Sequence, residues 1–399
     1  MVMPLLCALA LIIDAPQVRL VRVPDGGIQP QIAVEADGTV DLLWFGGDPI
    51  AGDLFFARSR DSGASFSPAQ RVNHDYGDAI AIGNVRGAQL ALGRDDAIHV
   101  AWMGSANAKQ RGPRGATPML YARLDAPREG AAMASFTPER NVIAEHAGLD
   151  GGGTLAADGH GRVWVAWHAP ASADPKEGEA KRTVWIAASE DDGKSFAPER
   201  RAWNEATGAC ACCGMRALAT DDELVVIYRA ATKEVNRDLF ALLSRDHGAT
   251  FRGARVDEWR SAQCVMSTVA ASVARTDAGG IIAAWENQGD VLYDLTAREE
   301  TRGALLTTPV RPPKSVGGAR APRKHPSVAM NARGEVLLAW TEGMGWEKGG
   351  TLVWQLFASD GKPLAGPSNG VESGRAEGVP TWSLVAAAAL ADGSFLIVY

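Results

Sequence analysis

The chain has 399 residues, is 46% hydrophobic and carries a formal net charge of −7. That content can bury a large core, and an acidic balance with no run of Lys or Arg excludes the basic surface that nucleic acid requires. An apolar run over residues 3–13 falls short of the roughly 20 residues that span a bilayer, so stable membrane insertion is not expected.

In chain order, residues 1–15 read as an apolar leader similar to the hydrophobic region of a secretory signal, which would place the protein in the periplasm or outside the cell. Residues 16–399 read as one domain. Residues 18–23 form a strand with no inner strand pair before it. From there a unit recurs: a Gly or Asp turn, a run rich in Val, Ile, Leu and Ala, then an aromatic. The aromatics are Trp44, Trp102, Trp167, Tyr228, Trp285, Trp340 and Tyr399, spaced 58, 65, 61, 57, 55 and 59 residues apart. Such runs suit strands buried on both faces, and a period of this size points to radially or linearly stacked units.

Between the aromatics an eight-residue phrase appears three times, as Ser59 to Phe66, Ser189 to Phe196 and Ser244 to Phe251. Its fixed points are Asp61, Gly63 and Phe66; Asp191, Gly193 and Phe196; and Asp246, Gly248 and Phe251. The Asp accepts hydrogen bonds from backbone N–H groups ahead of it, the Gly supplies positive φ, and the Phe anchors the loop, so the phrase reads as a hairpin brace. Each unit becomes strand, turn, strand, loop, strand, brace, strand. Four antiparallel strands repeated radially make an all-β propeller, with seven blades by the aromatic count. The last inner pair runs off the C-terminus without outer strands, so the two chain ends are expected to complete one blade together.

The phrase resembles the Asp-box, or BNR repeat, of the sialidase superfamily of β-propellers. That family has six blades, which keeps six as the alternative to seven. The Cys210-x-Cys212-Cys213 motif followed by Asn236-Arg237-Asp238 also resembles a group of bacterial sialidase-like proteins. The resemblance implies action on a glycan or small acidic sugar by a monomer without a cofactor, as an exo-sialidase or a related glycoside hydrolase. The alternative is a non-catalytic propeller that binds a glycan or a protein partner. It further implies three arginines around a carboxylate, a Tyr paired with a Glu, and an Asp acid/base.

The family's first arginine is missing from the aligned stretch Gly27-Ile28-Gln29-Pro30, so Arg22 and Arg323 stand as candidates beside Arg229 and Arg237, whose forked guanidiniums suit a carboxylate. By chain order Tyr293 and Glu286 match the nucleophile pair, and Asp75 and Asp78 the acid/base. Glu286 and Glu342 are a further carboxylate pair for ordinary glycoside hydrolysis. Segments that converge at the axis of a propeller add His168, Asn287 and His325, with Trp346 and Trp382, to one polar funnel. Beyond Cys7 in the apolar leader, the other four cysteines, Cys210, Cys212, Cys213 and Cys264, suit disulfides in an exported protein, with a link from the first three to Cys264 expected. The less favoured alternative for these four is a soft thiolate metal site.

Overall fold

The computed structural model describes residues 17–125, 134–172, 178–273, 280–295, 309–314, 316, 321–366 and 370–399; the leader expected over residues 1–15 lies outside the described residues. The strands form seven small sheets arranged as a seven-bladed propeller. Among the described residues the only helices are short 3-10 turns, and none is long and apolar enough to cross a membrane.

Blade 1 comprises Ile28–Val34, Val40–Gly46, Asp53–Ser59 and Gln70–Arg71. Blade 2 is built on Gln89–Leu92, Ile98–Met103 and Met119–Asp125, and blade 3 on Gly153–Ala157, Val163–Pro170 and Arg182–Ser189. Blade 4 runs Arg216–Ala219, Leu224–Arg229, Leu239–Ser244 and Arg252–Asp257, and blade 5 begins Val269–Val273, Ile281–Asn287 and Asp290–Leu295. Blade 6 holds Arg323–Met330, Val336–Glu342, Gly350–Phe357 and Ser373–Val379. Blade 7 joins Ala386–Ala389 and Phe395–Val398 to Val18–Val21 from the other end of the chain.

The second strand of each blade sets the architecture. Its residues alternate between two apolar clusters, one shared with the blade before and one with the blade after. In blade 1, Leu42 and Trp44 pack with Val398 of blade 7, whereas Leu43 and Phe45 pack with Trp102 of blade 2. In blade 4, Val226 and Tyr228 meet Trp164 of blade 3, whereas Val225 and Ile227 meet Trp285 of blade 5. The aromatic column thus lies at the blade junctions, each ring set against the preceding blade. Period-two alternation with both faces apolar is the signature of a strand between two sheets.

Blade 7 closes the ring with one departure from an all-antiparallel blade. Val18–Val21 pairs in parallel with Phe395–Val398. Its direction is set by the next connection: Val23 N–H bonds to Tyr399 O, and the chain turns through Pro24–Gly26 directly into the inner strand of blade 1. It runs as a fourth strand would, but occupies the place of a third.

The three phrases lie between the third and fourth strands of blades 1, 3 and 4, on the face away from the inner-strand starts. Ser59 Oγ donates to Asp61 Oδ1 at 2.7 Å and accepts from Gly63 N–H at 2.8 Å, while Ser65 N–H donates to Asp61 Oδ1 at 2.8 Å. The bonds recur around Asp191 and Asp246. The glycines have φ of +81°, +72° and +84°, and a Cβ on Gly193 would collide with the Tyr121 hydroxyl of blade 2. Conformation and close approach both require glycine there.

Hydrogen bonds from Ser65, Ser195 and Thr250 hold the three aspartates down to about 2. Because these folded-state values lie below the ordinary value of about 4, the stabilisation is complete above about pH 4 and is lost as pH falls toward 2. A chain with Asp61, Asp191 and Asp246 all changed to Asn is expected to melt below the parent at pH 7. The gap should close between pH 4 and pH 2 in thermal melts; a gap constant with pH would contradict this origin.

Candidate functional site

The inner strands of six blades are entered through a residue with left-handed backbone on the same face. These are Gln29 (φ 54°) in blade 1, Asn84 (φ 59°) before blade 2, Gly152 (φ 78°) before blade 3, Met266 (φ 43°) before blade 5, His325 (φ 51°) in blade 6 and Trp382 (φ 58°) before blade 7. Five of the six are not glycine. The inner strands of blades 1 and 6 also shift register there, between Ile28 and Gln31 and between Lys324 and Ser327. Bulges re-aim side chains, and backbone strain of this kind collects at ligand sites.

These entrances are tied to one another across blades. Gln29 Nε2 donates to Ala81 O and, at 2.7 Å, to Trp382 O, and Asn84 Nδ2 donates to Ser383 O. They surround a cavity of about 110 Å³ lined by Gln29, Asn84, Gln89, Arg216, Thr268 and His325. Arg216 Nη1 donates to Gln31 Oε1 at 2.8 Å and to Gln89 Oε1, so one cation from blade 4 is held by amides of blades 1 and 2. Burial lowers this guanidinium to about 10, which leaves it charged at neutral pH. His325 Nδ1 lies 2.9 Å from Thr341 Oγ1, and burial followed by the charge of Lys324 lowers the imidazole to about 3, so it is neutral.

At the rim, Trp346 is 54% exposed and meets Trp382 edge to face with ring centroids 6.1 Å apart. A small hollow beside it is lined by Gly83, Asn84, Met266, Lys324 and His325.

The four expected arginines do not converge on one point. Arg22 is exposed on the edge of blade 7, bonded to the carbonyls of Glu377 and Gly378 and set over the Tyr399 ring. Arg229 is buried and donates to Ser267 Oγ (2.6 Å), Arg237 O (2.6 Å) and Glu286 O (2.8 Å). Arg237 pairs with Glu179 at 2.9 Å. Arg323 pairs with Asp290 at 3.0 Å, approaches Glu342 at 3.7 Å and donates to the carbonyls of Pro312, Pro313 and Val316. Each guanidinium is occupied by the protein itself.

The carboxylates are similarly committed. Glu286 Oε1 accepts from the N–H groups of Thr268 and His325, both at 3.0 Å, and burial raises its pKa. Glu342 Oε1 accepts from Trp340 Nε1 at 3.0 Å. Tyr293 is in the third strand of blade 5, buried edge to face against Phe357, so it is not brought together with Glu286 at the funnel. Asp75, in the connection between blades 1 and 2, pairs with Lys109 of blade 2. Asp78, in the same connection, is buried, and burial together with the nearby Glu139 raises it to about 8.

His168 is buried, 3.4 Å from Arg182 Nη1, and lowered to about 3 by burial and then by the charge of Arg182. Asn287 Nδ2 donates to Glu258 O at 3.1 Å. Of the four cysteines, Cys212 and Cys264 are bridged, linking the connections before blades 4 and 5, while Cys210 and Cys213 are buried free thiols, which corrects their candidacy as bridged residues. Gln29, Asn84, Gln89 and Arg216 had no motif to single them out, since their signal is position at an inner-strand entrance.

No family model matches the chain, and no curated protein matches its sequence. Among solved structures, an α-L-arabinofuranosidase of Fusarium graminearum in complex with arabinobiose is 11% identical, with a TM-score of 0.52 over 87% of this chain and 98% of that one. The shared fold is the β-propeller. A Trypanosoma rangeli sialidase in complex with sialic acid is 12% identical, with a TM-score of 0.49 over 85% of this chain and 54% of that one. At these identities the likeness is one of fold.

The committed state of Arg229 has a measurable consequence. Arg229→Met strands the Ser267 hydroxyl and two carbonyls in the core and should cost about 3–5 kcal/mol in urea unfolding. A parental midpoint would instead mark this guanidinium as free for a ligand.

Proposed function

We propose that the protein is a glycan-binding propeller whose site is the funnel rim around Trp346. The observation that carries this reading is an exposed indole, on the loop between the second and third strands of blade 6, next to a neutral imidazole, an amide and a lysine placed by strained inner-strand entrances. An aromatic face takes the apolar face of a sugar ring, while a few convergent polar groups fix its hydroxyls. Among the described residues the Lys324 ammonium donates to Val265 O at 3.3 Å, and its charge, which also acts on Glu286, borders the hollow where it would favour an acidic sugar. The Cys212–Cys264 bridge is in keeping with an exported protein, periplasmic or secreted.

A glycan array followed by calorimetry tests this. Trp346→Ala should weaken every bound glycan at least tenfold, about 1.4 kcal/mol, without altering the melting temperature. Lys324→Met should weaken acidic glycans alone. Unchanged affinity in Trp346→Ala would remove the rim from the site.

A second reading, exo-glycosidase action of the exo-sialidase type, is favoured by one observation: Asp78 and Glu286 are both carboxyls whose acid form is stabilised by burial, as a general acid requires. It predicts release of fluorophore from 4-methylumbelliferyl sialoside or arabinofuranoside, reduced at least a hundredfold by Asp78→Asn or Glu286→Gln. Turnover that survives both substitutions removes these two carboxyls from the reaction, and turnover that never exceeds the buffer rate leaves binding as the function.

A further inference from the structure

Cys210, Cys212 and Cys213 belong to the connection that leads into blade 4, and their sulfurs all lie within 4.8 Å of one another. Cys210 Sγ is 2.9 Å from Cys213 Sγ and 3.5 Å from Cys212 Sγ. Three thiolates about 2.3 Å from a common metal ion stand about 4 Å apart, so small outward shifts open a trigonal site at the centre of this trio. Ala231 and Val265 pack against the trio, and Ser267 and the Arg229 charge stand beside Cys213. Among the described residues no His, Asp or Glu joins the trio within the same reach.

One of the three sulfurs is engaged, because Cys212 is bridged to Cys264. Cys264 is exposed, whereas Cys210 and Cys213 are buried behind it. The bridge therefore stands between solvent and the two free thiols, in the position of a gate.

We propose that Cys210, Cys212 and Cys213 form a binding site for a soft monovalent ion, Cu(I), that opens when the Cys212–Cys264 bridge is reduced. Two equivalents of a small-molecule thiol reduce the bridge: the Cys212–Cys264 bond breaks, each of these cysteines gains a proton, and the two small thiols join as a disulfide. Cu(I) then binds three thiolates with release of three protons and no further electron transfer. An all-sulfur, three-coordinate set suits Cu(I); Zn(II) in a closed protein site takes four ligands.

The test uses the full chain, anaerobically, with Cu(I) supplied from bathocuproine disulfonate as a competing chelator. Cys264→Ser leaves Cys212 as a thiol, so this variant should bind one Cu(I) per chain without added reductant, at least a hundredfold more tightly than the bridged parent. Adding Cys210→Ser or Cys213→Ser to it should remove that gain. The reduced, desalted parent should behave like Cys264→Ser, and its X-ray absorption should show three sulfur neighbours at about 2.3 Å, a readout that does not depend on any variant folding. The proposal is overturned if Cys264→Ser and the reduced parent bind no more tightly than the bridged parent, if the double variants bind equally well, or if Zn(II) displaces Cu(I) from the site.

Discussion

The structure depends on the second strand of each blade presenting two apolar faces to two different neighbours. An isolated blade would leave Leu42 and Trp44 on one face, and Leu43 and Phe45 on the other, in water. Full burial of a large apolar side chain is worth about 1.5–3 kcal/mol, so a single unpaired junction would expose several such contributions at once. The seven junctions are met only when the ring closes, which is why the chain ends share a sheet. Val18–Val21 is held by Phe395–Val398 even though its direction is that of a fourth strand. Closure takes priority over the regular antiparallel pattern because the alternative is an open edge beside an uncovered core.

This constraint explains which parts of the molecule were legible in the sequence. The alternation in residues such as 224–228 and 336–340 is local and has period two, so the buried strands, the aromatic column and the seven blades could be read along the chain. The hairpin phrases were legible because each closes on itself within eight residues: the side chains of Ser59, Asp61 and Ser65 bond within the phrase itself. The parallel direction of the closing strand could not be read, since pairing residue 18 with residue 395 carries no local mark.

The candidate site was much less legible. Its principal device is left-handed backbone at the inner-strand entrances, including Gln29, Met266 and Trp382, residue types with no special claim to that conformation. The strain is imposed by partners far along the chain, as when Gln29 reaches Ala81 and Trp382. The arginines show the same limit from the other side. Arg229, Arg237 and Arg323 were picked out by residue type and blade position, and they do lie at the funnel-face ends of their strands. Their long side chains nevertheless found acceptors within the protein, and sequence spacing carries no information on whether a guanidinium is spent on structure or left for a ligand. The cysteines fall between these cases: a link to Cys264 was expected, but which of three near neighbours would make it depended on packing in the connection.

The division of labour between the two faces follows from the same closed ring. The hairpin braces sit on the face where chain connections are short and self-contained, and there they fix the outer strands without reference to any ligand. The opposite face receives the connections between blades, and among the described residues these range from the short turn between Val21 and Ile28 to the long segment between Arg71 and Gln89. Lengthening or re-aiming such a connection leaves the junction packing intact, because the second strands that fill it do not move. Chemistry can therefore change on the funnel face at little cost in stability, whereas the braces and the aromatic column cannot change without opening a junction. A sequence phrase from the brace consequently identifies the architecture, and the function has to be read from Trp346, His325, Arg216 and the cysteine cluster on the other side.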